Sequence, residues 1–199
     1  HYKRFLYGRY EDFISDILHY VDHHIDDDDL LECIQKLKRS EKYDELELFM
    51  DGIKEDFNIH YLYIIKPLNK NPKGNVMSVI SAENYYDRHI DTEGNLYLGW
   101  ISDDEYSTAV VKKLFDAMEK KNVVFFEEST RWSTDYTGTL SLIDSNNNPY
   151  ALLAVDVDIS EISKIIRNHT IETSALIIIL GIIFTIEFLY WLSSAEKQS

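Results

Sequence analysis

The chain has 199 residues, 45% of them apolar, and a formal net charge of −15. Such an excess of carboxylates excludes a nucleic-acid partner, which needs clustered Lys and Arg to displace the counterions of its phosphates. The single cysteine, Cys33, excludes an internal disulfide and leaves the redox compartment unread.

From Phe5 to about Arg39 apolar residues recur at helical spacing: Ile14, Ile17, Leu18, Val21 and Ile25, then Leu30, Leu31, Ile34 and Leu37. This pattern predicts one long helix or two in tandem. The run Asp26 to Asp29 interrupts it, and a carboxylate just before Leu30 can cap a second segment by accepting from exposed backbone N–H groups. A third helix is predicted from Tyr43 to Asp56, burying Leu46, Phe49, Met50 and Ile53.

The period then changes. Ile59 to Ile65 is rich in β-branched and aromatic residues, and the turn-rich stretch Asn69 to Asn75 separates it from Val76 to Ile80, which predicts a hairpin. Ala82 to Ser102 reads as irregular, with a short strand at Leu96 to Ile101. Asp103 and Asp104 can cap a helix through Val110, Val111, Leu114, Phe115 and Met118, and Val123 to Phe126 reads as a strand. A closing hairpin pairs Thr137 to Ile143 with Tyr150 to Val157 around the Asx-rich turn Asp144 to Pro149. Helices followed by an antiparallel sheet with one helix inserted is an α+β layout.

Asp158-Ile-Ser-Glu161 has the spacing of a capping box, and Ile162, Ile165 and Ile166 continue at helical spacing. They lead into the apolar stretch Ala175 to Leu192, whose 18 residues would extend roughly 27 Å as a helix, close to the hydrocarbon thickness of a bilayer. The expected organisation is an N-terminal long helix for dimerisation (1–40), a sensor core (41–158), a juxtamembrane helix (159–174), a transmembrane helix (175–192) and the start of a cytoplasmic segment (193–199). His1 in place of a methionine, and the short tail after the span, suggest a piece of a longer chain. Lys164 and Arg167 before the span and Lys197 after it leave the orientation open on charge alone. Glu187 within the span is expected to snorkel or to mark a helix–helix contact.

The order of elements, the phrase Trp132 to Gly138, the turn at Ser145 to Pro149 and the phrase Ala154 to Ile159 together resemble the Cache sensor domains, PAS-like modules of bacterial transmembrane receptors. The resemblance covers roughly residues 5 to 170. It implies a long N-terminal helix packed on a central antiparallel sheet, with a small-molecule pocket on the other side of the sheet. It also implies an extracytoplasmic location and an output such as a histidine kinase, diguanylate cyclase or chemotaxis transducer. The chain departs from the amino-acid-binding subgroup. There an Arg and a Trp alternate, whereas Arg131 and Trp132 are adjacent and would point to opposite faces of a strand.

Candidate ligand-binding residues follow from their chemistry. Arg131 can grip a carboxylate through paired N–H bonds while Trp132 and Tyr136 exclude water, with Asp135 as a neighbouring acid. Asp156, in an apolar strand, can accept from a ligand ammonium or tie the strand end to the next helix. Tyr61 and Tyr63 on one strand face, and Trp100, can wall a pocket or fill a core. His19 and His23, with Asp22 and Asp26, have the i, i+4 spacing of a metal pair, though a His- and Asp-rich helix face is more often simply solvated.

No Gly-rich phosphate loop, nucleophile elbow or His-Glu-x-x-His motif is present, so no catalysis and no cofactor are expected. The expected function is a membrane-anchored, homodimeric sensor of a small molecule, possessing a carboxylate or resembling an amino acid. The rival readings are a tethered dimerisation module with no ligand, and a divalent-cation sensor using the acidic helix.

Overall fold

The structure is a computed structural model that describes residues 2–57, 59–71, 73–90, 96–102, 105–129, 134–159, 177–179 and 181–185. Two compact units divide the chain, His1–Asp158 and Ile159–Ser199. In the first, three helices, α1 (Tyr2–Asp22), α2 (Asp27–Lys36) and α3 (Glu41–Phe57), precede the hairpin β1 (Tyr61–Pro67) and β2 (Val76–Ser81). Helices α4 (Tyr85–His89) and α5 (Thr108–Met118) follow. Strands β3 (Val124–Ser129), β4 (Thr134–Ile143) and β5 (Pro149–Asp158) close the unit.

The tandem reading of the N-terminal helices is the one adopted. The break falls at residues 23–26, where Asp26 leaves helical geometry and its carboxylate accepts from Asp29 N, satisfying a donor that the first turn of α2 cannot. Ile14, Ile17, Leu18 and Val21 form the buried stripe of α1. Each such side chain, removed from water, contributes roughly 1.5–3 kcal/mol.

All five strands pair antiparallel in the order β2-β1-β5-β4-β3, the arrangement of a PAS-like sheet. Side chains alternate across a strand, and directly paired residues share a face. One face carries Leu62, Ile64, Tyr136, Gly138, Leu140, Leu153 and Val155. It packs under α1, and Gly138 marks the contact: a Cβ there would come within 2.3 Å of Ile14 Cγ2 and 3.0 Å of the Phe125 ring. On the other face Ile65, Phe126 and Leu152 pack with Val110, Val111, Leu114 and Ala117 of α5.

Some local expectations are corrected. Leu96 to Ile101 is not a strand among the described residues; only an isolated bridge joins Ile101 to Met77, and a turn around Gly99 occupies the rest. Helix α5 begins later than the acidic pair suggests. Its N-cap is Ser107, whose hydroxyl accepts from Val110 N; Asp103 and Asp104 lie outside the described residues. Residues 85–89 form the short helix α4, closed by a reciprocal capping box between Asn84 and Asp87. Asp158 ends β5 as a strand residue.

In the second unit residues 177–179 and 181–185 are helical and exposed. Among the described residues no helix is long and apolar enough to cross a membrane. Most of the expected span at 175–192, including Glu187, and nearly all of the expected helix at 159–174 lie outside the described residues.

Candidate ligand site on the sheet

Strand register assembles a polar corner on the sheet face that α5 covers. Asp158, Asp135 and Glu128 are directly opposite one another on β5, β4 and β3. One step further along the same face, Asp156 pairs with Thr137 on β4 and with Tyr61 on β1. Asp156 is 8% exposed, Asp135 4% and Thr137 1%, in a sheet whose buried positions are otherwise mostly apolar.

The Tyr63 hydroxyl donates to Asp156 Oδ1 at 3.3 Å, and the His60 ring lies with Nδ1 2.8 Å from Asp135 Oδ1. Thr137 Oγ1 sits beside the Asp156 carboxylate and favours its ionised form, yet it meets hydrogen-bond geometry with no group among the described residues.

Electrostatics follow from burial. Loss of water pushes the Asp156 carboxyl up to about 7, and the neighbouring Asp135 and Glu128 push the same way. Glu128 is also raised, first by burial and then by Asp135, with Lys113 of α5 pulling it back. The His60 imidazole is raised, chiefly by its hydrogen bond to Asp135. Burial similarly holds the Tyr63 and Tyr106 phenols in their neutral form. A corner with these properties can accept hydrogen bonds from a cation or retain a proton at neutral pH.

The expected site residues separate into groups. Asp135, Asp156 and Tyr63 come together in this corner. Tyr61 is opposite Asp156 but 44% exposed, with the Lys54 ammonium 5.4 Å from its ring centre, so it flanks the corner without enclosing it. Tyr136 does not join them. Being next to Asp135 in an extended strand, it points to the opposite face, where it donates to Glu11 Oε1 at 2.6 Å and meets Tyr7 edge-on.

Trp100 is half-buried, and its carbonyl accepts from Ser78 N of β2, two strands away from β5. Arg131 and Trp132 lie outside the described residues.

Of the His and Asp set, His19 and His23 both lie near enough to Asp22 to favour its ionised form against the effect of burial. Helix α1 ends at Asp22, which puts His23 in the turn beyond it, and Asp26 is engaged as the N-cap of α2 and in an ion pair with Lys42. Among the described residues no group of three or more His, Cys, Asp or Glu side chains is arranged to hold a metal ion.

His60, Thr137 and Glu128 were not singled out by the sequence. Only the strand pairing places them beside Asp156; alternation within β4 and β3 was the one available signal, and it required the register. Elsewhere, a cleft of about 320 Å³ is lined by His24 and by residues near or within α2 and α3, among them Leu30, Tyr43 and Phe49. None of the sheet corner's residues line it.

No family model and no curated protein matches the chain. Among solved structures it is similar to the sensor domain of the histidine kinase DctB from V. cholerae, at 14% identity and a TM-score of 0.49, over 79% of this chain and 52% of that one. It is also similar to the sensory domain of the Campylobacter jejuni chemoreceptor Tlp3, at 14% identity and a TM-score of 0.39, over 80% of this chain and 64% of that one. The ligand-binding domain of the same chemoreceptor in complex with L-valine matches at 14% identity and a TM-score of 0.38, over 80% and 64% of the two chains. The chain thus spans about half the length of the first of these structures and under two thirds of the others.

Proposed function

We propose that the chain is the extracytoplasmic sensor domain, of Cache type, of a transmembrane signalling receptor. It binds a small molecule at the polar corner of the sheet and is not itself an enzyme. The observation that carries this reading is Asp156: a carboxylate on the central strand, nearly removed from water, beside two further acids and an unsatisfied hydroxyl. Such an arrangement costs folding energy that a well-packed apolar strand would not, and clusters of this kind concentrate at functional sites.

Position supports the reading as well. β5 is the last described strand, and in sequence Asp158 is followed by the segment that leads to residues 175–192. Ligand binding that favours one arrangement of β3, β4 and β5 would move the end of β5 and pass along that segment through the membrane. The energy for the shift is the ligand's preference for one state over the other. Two copies pairing along Phe5 to Ile25 would make the output symmetric, feeding a kinase, a diguanylate cyclase or a chemotaxis transducer.

Thermal unfolding of the full chain in detergent micelles, across a panel of carboxylic acids, amino acids, amines and metal ions, tests this reading. A native-state ligand at a hundred times its Kd stabilises by about 2.7 kcal/mol, which is readily seen as a rise in Tm. The expected result is a rise with at least one small organic compound, lost in Asp156→Asn. Flat traces across the whole panel would remove the ligand-sensing function.

A further inference from the structure

The cleft of about 320 Å³ lined by His24 and by residues near or within α2 and α3 shares no residue with the sheet corner, and its interior is already built. Leu30, Tyr43 and Leu46, all buried, are its apolar floor. The Tyr43 hydroxyl donates to Val79 O of β2, which ties that floor to the sheet. One wall is aromatic. The rings of His24 and Phe49 are stacked, with 4.2 Å between centres and 22° between planes, and His24 Nδ1 donates to Tyr20 O at 2.8 Å. A wall held at two points is in place before anything binds, so an occupant meets it without the cost of ordering it.

The charges around this interior do not balance. Three carboxylates, Asp26, Asp29 and Glu45, line the cleft with one ammonium, Lys42. Lys42 is ion-paired with Asp26, while Asp29 and Glu45 act on the same ammonium from further away. Asp29 otherwise accepts from neutral donors, the Ser40 hydroxyl and, at 3.9 Å, the Cys33 thiol. One cation therefore serves three acids, beside an aromatic face and over an apolar floor. A small cleft that is apolar inside and carries a few placed charges has the form of a small-molecule site. An aromatic face adds attraction for a cation through the ring quadrupole.

We propose that this cleft is a second ligand site, one that takes a small organic cation with a flat apolar body. The body lies on Leu30 and Leu46 against the stacked rings, and the cationic group is drawn by Asp29 and Glu45. Lys42 opposes it, because its ammonium occupies Asp26 and repels an incoming cation. The site stands apart from the sensed-ligand reading, since none of the corner's residues line it.

Calorimetric titration of the full chain in nonionic detergent micelles, at low ionic strength so that charges at the mouth are little screened, tests this with benzamidine, benzamide and benzoate. The three probes share one flat ring and nearly one size, and they differ in charge from positive through neutral to negative. The expected result is that benzamidine binds, benzamide binds about tenfold more weakly and benzoate gives no heat. Glu45→Gln, at an exposed position, should weaken benzamidine about threefold, and Phe49→Leu should weaken it about tenfold. Lys42→Gln should tighten it about threefold, because a repelling charge is gone and Asp26 is released to the cleft. A merely structural role for that ion pair gives the opposite sign. Asp156→Asn should leave this binding unchanged.

Benzamide or benzoate binding as tightly as benzamidine would overturn the ligand class. Weaker benzamidine binding in Lys42→Gln would overturn the electrostatic account of the cleft. Benzamidine binding that Asp156→Asn abolishes would belong to the sheet corner, removing this site and leaving the sensor reading in place. No benzamidine binding up to about 10 mM also removes the site, and the ligand panel of the preceding section decides separately whether the sheet corner binds anything.

Discussion

His60 Nδ1 lies 2.8 Å from Asp135 Oδ1, so the residue that leads into β1 is tied to β4 across the end of the strand between them, β5. The pair closes the polar corner and brings to it a group that titrates near neutral pH.

Because Asp135 raises the His60 imidazole above its ordinary value, the pair stabilises the fold fully below about pH 6.5. That contribution is lost as pH rises through the higher folded value. His60→Ala should therefore cost about 1 kcal/mol at pH 5.5, a modest figure because the ring is partly exposed. The cost should shrink as pH rises through that folded value. Urea unfolding of both proteins from pH 5 to 9 measures it, and a constant difference would refute the assignment.

Asp156 works with the same sign for a different reason. Its carboxyl titrates near 3.8 in the unfolded chain and at about 7 in the fold, so between those values the folded protein holds the extra proton. Stability then falls as pH rises across that window. Asp156→Asn stays neutral throughout. In the absence of ligand it should match the parent below about pH 3.8 and gain on it as pH rises toward 7, by on the order of 4 kcal/mol at most. Parallel stability curves for the two proteins would show that Asp156 is not the group responsible.

Gly138 sets how closely α1 approaches the sheet. Gly138→Ala places a methyl within 2.3 Å of Ile14 Cγ2, and relief requires that α1 lift or Ile14 turn. The expected loss is about 1–3 kcal/mol. Trimming Ile14 to Ala in the same chain should recover part of it, so the double mutant should be more stable than the two single losses predict. Strict additivity would mean that the two residues do not touch.

Lys54 holds α4 in place. Its ammonium is almost fully buried, 2.5 Å from Asp87 Oδ2 and 3.2 Å from Ala82 O. Asp87 also closes the capping box of α4. Lys54→Met leaves that carboxylate without its cation and should cost about 2–3 kcal/mol, less than for a fully buried pair because Asp87 is partly exposed. Hydrogen exchange should quicken at Tyr85–His89 and stay slow in β4 and β5. Unchanged exchange in α4 would show that the capping box alone suffices.

Sequence periodicity alone located the helical stretch that holds α1 and α2, without choosing between one helix and two, and also α3, the β1–β2 hairpin and the β4–β5 hairpin, because each buries a face whose spacing, 3.6 or 2, is written directly into the chain. Asp135, Asp156 and Tyr63 were also legible as candidates, since an acid or a phenol inside an apolar strand stands out. Pairing decided the rest. Tyr136 was grouped with Asp135 by adjacency, and alternation in β4 sent it to the α1 face. His60, Thr137 and Glu128 come from three separate segments, and no local pattern links them. They meet because β5 inserts between β1 and β4, bringing together residues as far apart in the chain as His60 and Asp135. Local side-chain chemistry fixes which faces are apolar. The order of strands in the sheet decides which polar residues share one of those faces, and that order is chosen by the packing of the whole unit.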